Sequence, residues 1–168
     1  MLDPNADPYA VNNNDNLNTP QLFGAKDATD LNWVQLLNSY SCTECGRCSS
    51  VCPANQTGKL LSPRKIMMDT RDRIEEIGNN SDKKDGKFLL GDYITKEELW
   101  ACTTCNACTD ACPINLDPLS IIVDLRRYLV MEESSAPTEL NNMFSNVENN
   151  GAPWKFPVDD RLKWLDNQ

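Results

Sequence analysis

Histidine is missing from this chain of 168 residues. Its absence removes histidine-ligated haem, Rieske-type iron ligation and the commonest general base. Long apolar runs are missing as well, and nothing approaches the 18 or so residues that cross a bilayer. The first residues show neither the basic start nor the apolar stretch of a secretion signal, and no glycine-rich phosphate loop is present. Aromatic residues make up 7% and hydrophobic residues 40%, which is little material for a large apolar core. Basic residues are scarce relative to acidic ones, 16 Lys and Arg against 25 Asp and Glu, for a net charge of −9. Such a chain repels phosphates rather than releasing their counterions, so nucleic acid is excluded as a partner. The expectation is a soluble, cytoplasmic protein with no membrane span of its own.

What the chain does have is eight cysteines. They fall in two runs, Cys42-Thr-Glu-Cys45-Gly-Arg-Cys48-Ser-Ser-Val-Cys52-Pro53 and Cys102-Thr-Thr-Cys105-Asn-Ala-Cys108-Thr-Asp-Ala-Cys112-Pro113. Both read C-x2-C-x2-C-x3-C-P, the run that holds cubane [4Fe–4S] clusters in two-cluster ferredoxins. Three closely spaced thiolates wrap one cube, and the fourth cysteine ligates the other. Cys42, Cys45, Cys48 and Cys112 are therefore expected on one cluster, and Cys102, Cys105, Cys108 and Cys52 on the second. No cysteine is left over. With two cubes of charge −2 the total falls to about −13.

Two other uses of the cysteines are weaker. Zinc needs only C-x2-C pairs, which explains neither a third cysteine at the same spacing nor a proline after the fourth, twice. Disulfides are disfavoured in an acidic chain without a secretion signal. A three-iron cluster stays open for air-exposed protein.

Around the motifs the signals are helical. Residues 1–29, rich in Asn, Asp and Pro, read as an extended or disordered arm. Asp30 is the expected N-cap of a short helix carrying Leu31, Val34, Leu36 and Leu37 towards Cys42. Trp33 and Tyr40 lie there too, as packing residues or as a shield for the first cluster. Ser62-Pro63 opens a helix with Ile66, Met67, Ile74 and Ile77, which Gly78 should stop. Residues 78–92 read as a mobile loop, and Thr95 with Glu98 as a capping box that delivers Cys102. Asp117-Pro118 opens a helix bearing Leu119, Ile122, Val123, Leu125, Leu129 and Val130. Thr138 caps another with Leu140, Met143, Phe144 and Val147, closed by Gly151. A last short helix is expected between Pro157 and Leu165, with Leu162 and Trp164. No hairpin signal is present, so the fold is expected to be all-α. It divides into an arm at 1–29, a cluster domain at 30–136 and a C-terminal extension at 137–168 that offers Ala152-Pro-Trp154-Lys-Phe156-Pro157 for partner docking.

The motifs start 60 residues apart, Cys42 to Cys102, with helices between them, and this disfavours a compact βαβ-type ferredoxin. Together with Leu61-Ser-Pro-Arg-Lys-Ile-Met-Met-Asp-Thr-Arg, Trp100-Ala-Cys-Thr-Thr-Cys and Asn150-Gly-Ala-Pro-Trp154, they resemble the α-helical ferredoxin domain of heterodisulfide-reductase-type iron–sulfur proteins. Related domains occur in the anaerobic glycerol-3-phosphate dehydrogenase C subunit and in succinate dehydrogenase iron–sulfur subunits. The resemblance implies an electron-transfer component of an oxidoreductase complex, held at the inner face of the membrane. It also implies a redox partner: a cysteine-cysteine-glycine-motif subunit, a membrane cytochrome-like subunit or a flavin subunit. The chain is then one subunit, or an excised domain, of a larger assembly.

Cross-ligation sets how such a module works. Cys48 and Cys52 serve different cubes yet stand four residues apart, which puts the cubes on the order of 10 Å from each other. Gly46 and Asn106 offer tight turns that aim backbone N–H groups at sulfur, while Pro53 and Pro113 steer the chain away. Arg47, Lys59, Arg64 and Lys65 gather near the first motif, and Asp110, Asp117 and Asp124 follow the second, a contrast that favours reduction of one cluster over the other. No catalytic residue is expected. The alternatives are a stand-alone soluble dicluster ferredoxin and a module whose clusters are only structural.

Overall fold

The computed structural model describes residues 23–79, 86–163 and 165. Among them are eight α-helices, short 3-10 turns at Ala28–Asp30 and Val158–Leu162, and no strand, as the all-α expectation has it. No helix among the described residues is long and apolar enough to cross a membrane. The chain separates into two compact units, one running to Glu132 and one comprising Glu133–Gln168.

Two long helices centre the first unit. Helix α4, Pro63–Asn79, buries Ile66, Met67, Thr70 and Arg73, and α7, Pro118–Met131, buries Ile121, Ile122, Leu125 and Leu129. These positions recur every three or four residues, so each helix turns one face inward. The two pack together, with α1, Trp33–Ser41, against both. Leu61, Leu89, Ile94, Leu99 and Leu116 complete the core. Each buried Leu or Ile contributes roughly 1.5–3 kcal/mol. Helix α5, Lys96–Ala101, starts at the expected box: Thr95 Oγ1 accepts from Glu98 N at 3.2 Å, and Glu98 Oε2 accepts from Thr95 N at 2.8 Å. At the head of α7, Asp117 Oδ1 accepts from the amides of Leu119 and Ser120.

Several expectations are corrected. The N-cap of α1 is Asn32, exchanging hydrogen bonds of 2.9 Å with Gln35. Asp30 instead closes the 3-10 turn and accepts from the amides of Lys26 and Asp27. The inward face of α1 is Gln35 and Ser39, with Leu31 buried just ahead of the helix, while Leu37, Trp33 and Tyr40 are exposed. Polar residues win the inward face because both are satisfied there: Gln35 donates to Asp124 at 2.7 Å, and Ser39 donates back to Gln35 O. Gly78 does not stop α4, which continues to Asn79.

Of the arm expected at 1–29, residues 1–22 lie outside the described residues, and the stretch 23–29 docks on the domain by burying Ala25 and Ala28. Ala25 and Ala28 are only 1% and 2% exposed. Ala25 N donates to Asp124 O, and Lys26 O accepts from Leu90 N. Asp27 binds the buried Arg73 through two bonds of 2.8 and 2.7 Å. Gly24 makes the close approach feasible, since a Cβ there would meet Asp124 O at 2.4 Å and Tyr128 N at 2.5 Å. Of the loop expected at 78–92, residues 80–85 lie outside the described residues, while Leu89–Tyr93 is an irregular turn, non-helical at Leu90 and Gly91 and closed by Ile94 N on Leu89 O, that buries Leu89 and Leu90. Asp27 anchors this turn too, accepting from Leu89 N at 3.0 Å.

The second unit contains α8, Thr138–Asn150. Pro137, not Thr138, holds its N-cap position, and Thr138 is the first helical residue. Gly151 ends it as expected, in the left-handed region at φ 61° with its N–H on Val147 O. The segment expected as a last helix is the 3-10 turn Val158–Leu162, and Trp164 lies outside the described residues. The unit begins four residues before the expected boundary at 137.

Candidate iron–sulfur centre

Every cysteine sits where a helix starts, ends or turns. Cys42 and Cys102 are the C-caps of α1 and α5. Cys48 lies in α2, Arg47–Val51, and Cys108 in α6, Ala107–Asp110. Cys52 caps the end of α2 and opens α3, Pro53–Gln56, with Pro53 in the first turn. The short helices α2 and α6 pack against each other, joining motif to motif. None of the eight cysteines is in a disulfide.

The two motifs repeat one backbone path. Glu44 and Gly46 flank Cys45 with φ of 58° and 79°, and Thr104 and Asn106 flank Cys105 with φ of 55° and 63°. Glycine adopts this region freely and Asn tolerates it, whereas a β-branched Thr does so at a cost. The return is amide direction: Thr104 N donates to Cys102 Sγ at 3.4 Å.

One cavity is lined by Cys42, Cys45 and Cys48 of the first motif and Cys112 of the second, with Cys108 also on its wall. Met67, Ile114 and Leu116 give it an apolar lining, and Arg64 lies on its wall. In the other expected set, Cys52 and Cys108 are buried, Cys102 is half-buried and Cys105 is exposed. Burial pushes the Cys108 thiol up to about 11, with the charge of nearby Cys102 adding to it. Burial also raises Cys48, helped by Cys42 and Cys45. The backbone N–H of Ala107, followed by the Thr103 side chain, lowers Cys105. Raised in this way, the Cys108 and Cys48 thiols hold their protons until metal displaces them, so loading releases protons and strengthens as pH rises. Soft sulfur donors ringing an apolar cavity, with an amide aimed at sulfur, fit an iron–sulfur cluster.

Residues 41–116 match the model of the 4Fe-4S dicluster domain family. This chain carries a 4Fe–4S dicluster domain. The dicluster domain binds two [4Fe–4S] clusters and serves electron transfer. Among curated proteins, the chain is 34% identical to the probable iron–sulfur-binding oxidoreductase FadF of Bacillus subtilis, over 88% of the chain and 26% of that protein. It is 31% identical to the EtfAB:quinone oxidoreductase of Syntrophomonas wolfei, over 99% of the chain and 26% of that protein. It is 34% identical to a subunit of the ferredoxin/F(420)H(2)-dependent CoB-CoM heterodisulfide reductase of Methanosarcina acetivorans, over 60% of the chain and 52% of that protein. The chain thus spans about a quarter of the first two relatives and about half of the third.

The charges around the dicluster domain differ from the sequence expectation. Lys65 is turned to Asp69 at 2.7 Å, Glu98 at 2.8 Å and Tyr93 O at 3.1 Å. Arg64 is exposed. Asp117 caps α7, and Asp124 binds Gln35 and Arg127. Two cations were not foreseen. Arg71 pairs with Glu44 beside Cys45 at 2.5 Å. Arg126 of α7 reaches the end of α5, donating through Nε to Leu99 O at 3.0 Å and through Nη2 to Cys102 O at 2.5 Å. The sequence did hold a signal for Arg126: it stands in phase with Ile122 and Leu129, a charge on the apolar stripe of its helix.

Proposed function

We propose that the dicluster domain is the internal electron relay of a larger oxidoreductase, passing single electrons between a flavin- or quinone-linked donor and a catalytic partner. In this reading Cys42, Cys45, Cys48 and Cys112 hold one cluster, and Cys102, Cys105, Cys108 and Cys52 hold the other. The observation that carries it is the cavity where three thiols of the first motif meet Cys112 of the second. The packing of α2 on α6 supports the same crossed arrangement.

Each cluster, when bound, supplies a site that takes up and gives back one electron. The donor loses one electron for each that the acceptor gains, and the domain transfers no proton or chemical group. The protein's own share is to hold, insulate and tune. Burial of Cys52 and Cys108 shields the inner edges, and exposure of Cys45 and Cys105 leaves outer edges for entry and exit. The names of the relatives, oxidoreductases and a reductase subunit, support a place within a complex. We assign that complex to the inner face of the membrane. Its other parts are a cysteine-cysteine-glycine-motif subunit, a cytochrome-like subunit or a flavin subunit. The exposed Trp154 and Phe156 favour residues 137–168 as the docking segment for the redox partner.

Anaerobic reconstitution tests the reading. About eight irons and eight sulfides per chain are expected, with two EPR signals on reduction and reoxidation by a one-electron acceptor. Zinc in place of iron, or clusters that no reductant reaches, would overturn it.

A further inference from the structure

We propose that Arg126 is a positioning residue that raises the potential of the cluster held by Cys102 above that of its neighbour, so that electrons run from the first-motif cluster to the second. The inference rests on the ligand assignment proposed above. The geometry is specific. The guanidinium forks onto two carbonyls at the C-terminus of α5, Leu99 O and Cys102 O, one belonging to the ligand residue itself. Its Cζ lies 5.0 Å from the Trp100 ring centre, and the side chain is half-buried. A helix C-terminus presents unpaired carbonyls and a partial negative charge. Left bare, that end would oppose an added electron at Cys102. Arg126 satisfies the carbonyls and brings a full positive charge to the same place. It stays charged at any working pH.

The first motif has no cation held in this way among the charges described around it. Arg64 reaches its cavity from solvent, where salt screens it. Arg71 is neutralised by Glu44, and Lys65 by Asp69 and Glu98. Reduction adds negative charge to either cluster, and a half-buried cation stabilises that charge more than an exposed or paired one.

The test uses the full chain with both clusters loaded and redox-poised EPR. Cys105→Ser marks which signal belongs to the second motif. Arg126→Gln should shift electron occupancy away from that cluster by about tenfold, a fall of about 59 mV for one electron, and leave the other midpoint in place. Arg126→Lys, which keeps the charge, should recover most of the loss. Arg127→Gln is the control: it removes the same charge one residue away, from a side chain that faces solvent and pairs with Asp124, and should move neither midpoint. If Arg126→Gln fails to retain eight irons, Arg126→Met replaces it as a neutral side chain that fills the apolar surroundings. Equal shifts of both midpoints, no shift, or a Lys variant as low as the neutral one would overturn the proposal. Wild-type protein lacking two cubes would sink the ligand assignment instead, before any variant is compared.

Discussion

Asp27 and Arg73 carry the burden that the cysteines cannot. Arg73 is 2% exposed and Asp27 13% at the side chain, and the pair joins the segment before α1 to α4. Burial alone would raise the Asp27 carboxyl. The bond from Arg73, with the amides of Ala28 and Leu89, more than offsets this and holds it below its ordinary 3.8. A depressed carboxylate stabilises the fold at pH above its unfolded value, and that contribution is lost as pH falls through the folded one. Asp27→Asn removes the nearer counter-charge of the buried Arg73 and leaves Glu76 at 3.5 Å, so a loss of about 3 kcal/mol is expected at pH 7. The difference from wild type should shrink below about pH 4 as Asp27 itself protonates. Denaturant unfolding of the loaded chain under argon, at pH 7 and then at lower pH, reads both. A constant difference across that range would show that the charge is not what matters.

At the scale of elements, side-chain caps start α1, α5 and α7, and the site is built by what docks beside them. Gly24 decides whether residues 23–28 can lie on α7, because any Cβ there runs into backbone atoms of Asp124 and Tyr128. Gly24→Ala should lift the segment and expose the amides of Ala25 and Leu90, which donate to Asp124 O and Lys26 O. Hydrogen exchange should show those two amides losing protection while the middle of α4 keeps its own. Unchanged protection would mean that the segment is held by something else. What was legible in the sequence follows the same division. The heads of α5 and α7 were legible because Thr95, Glu98 and Asp117 are capping residues whose partners lie within three positions. The inward face of α1 was not, because Gln35 is made buriable by Asp124, 89 residues away. Nor was the burial of Leu89 and Leu90, whose surroundings read as a polar loop until Asp27 and Lys26 are brought against them. The cysteine spacing disclosed the candidate site. The cation proposed to tune it, Arg126, comes from α7, a helix in which an Arg among apolar positions looks like a defect in the pattern.

For the whole molecule, the apolar core and the clusters divide the work of folding. The core lies where α4 and α7 meet, and Cys52 belongs to it, with Cys42, Cys102 and Cys112 packed at its edge. Metal loading and folding are therefore coupled, and in the proposed wiring each cluster takes a ligand from both motifs and so would tie one motif to the other. That wiring is tested most directly by serine replacements of single cysteines, each loaded anaerobically and compared by EPR. The account predicts that Cys112→Ser perturbs the same signal as Cys42→Ser, and Cys52→Ser the same signal as Cys102→Ser. If Cys112→Ser instead groups with Cys102→Ser, each cluster is held within its own run and the crossed arrangement is wrong.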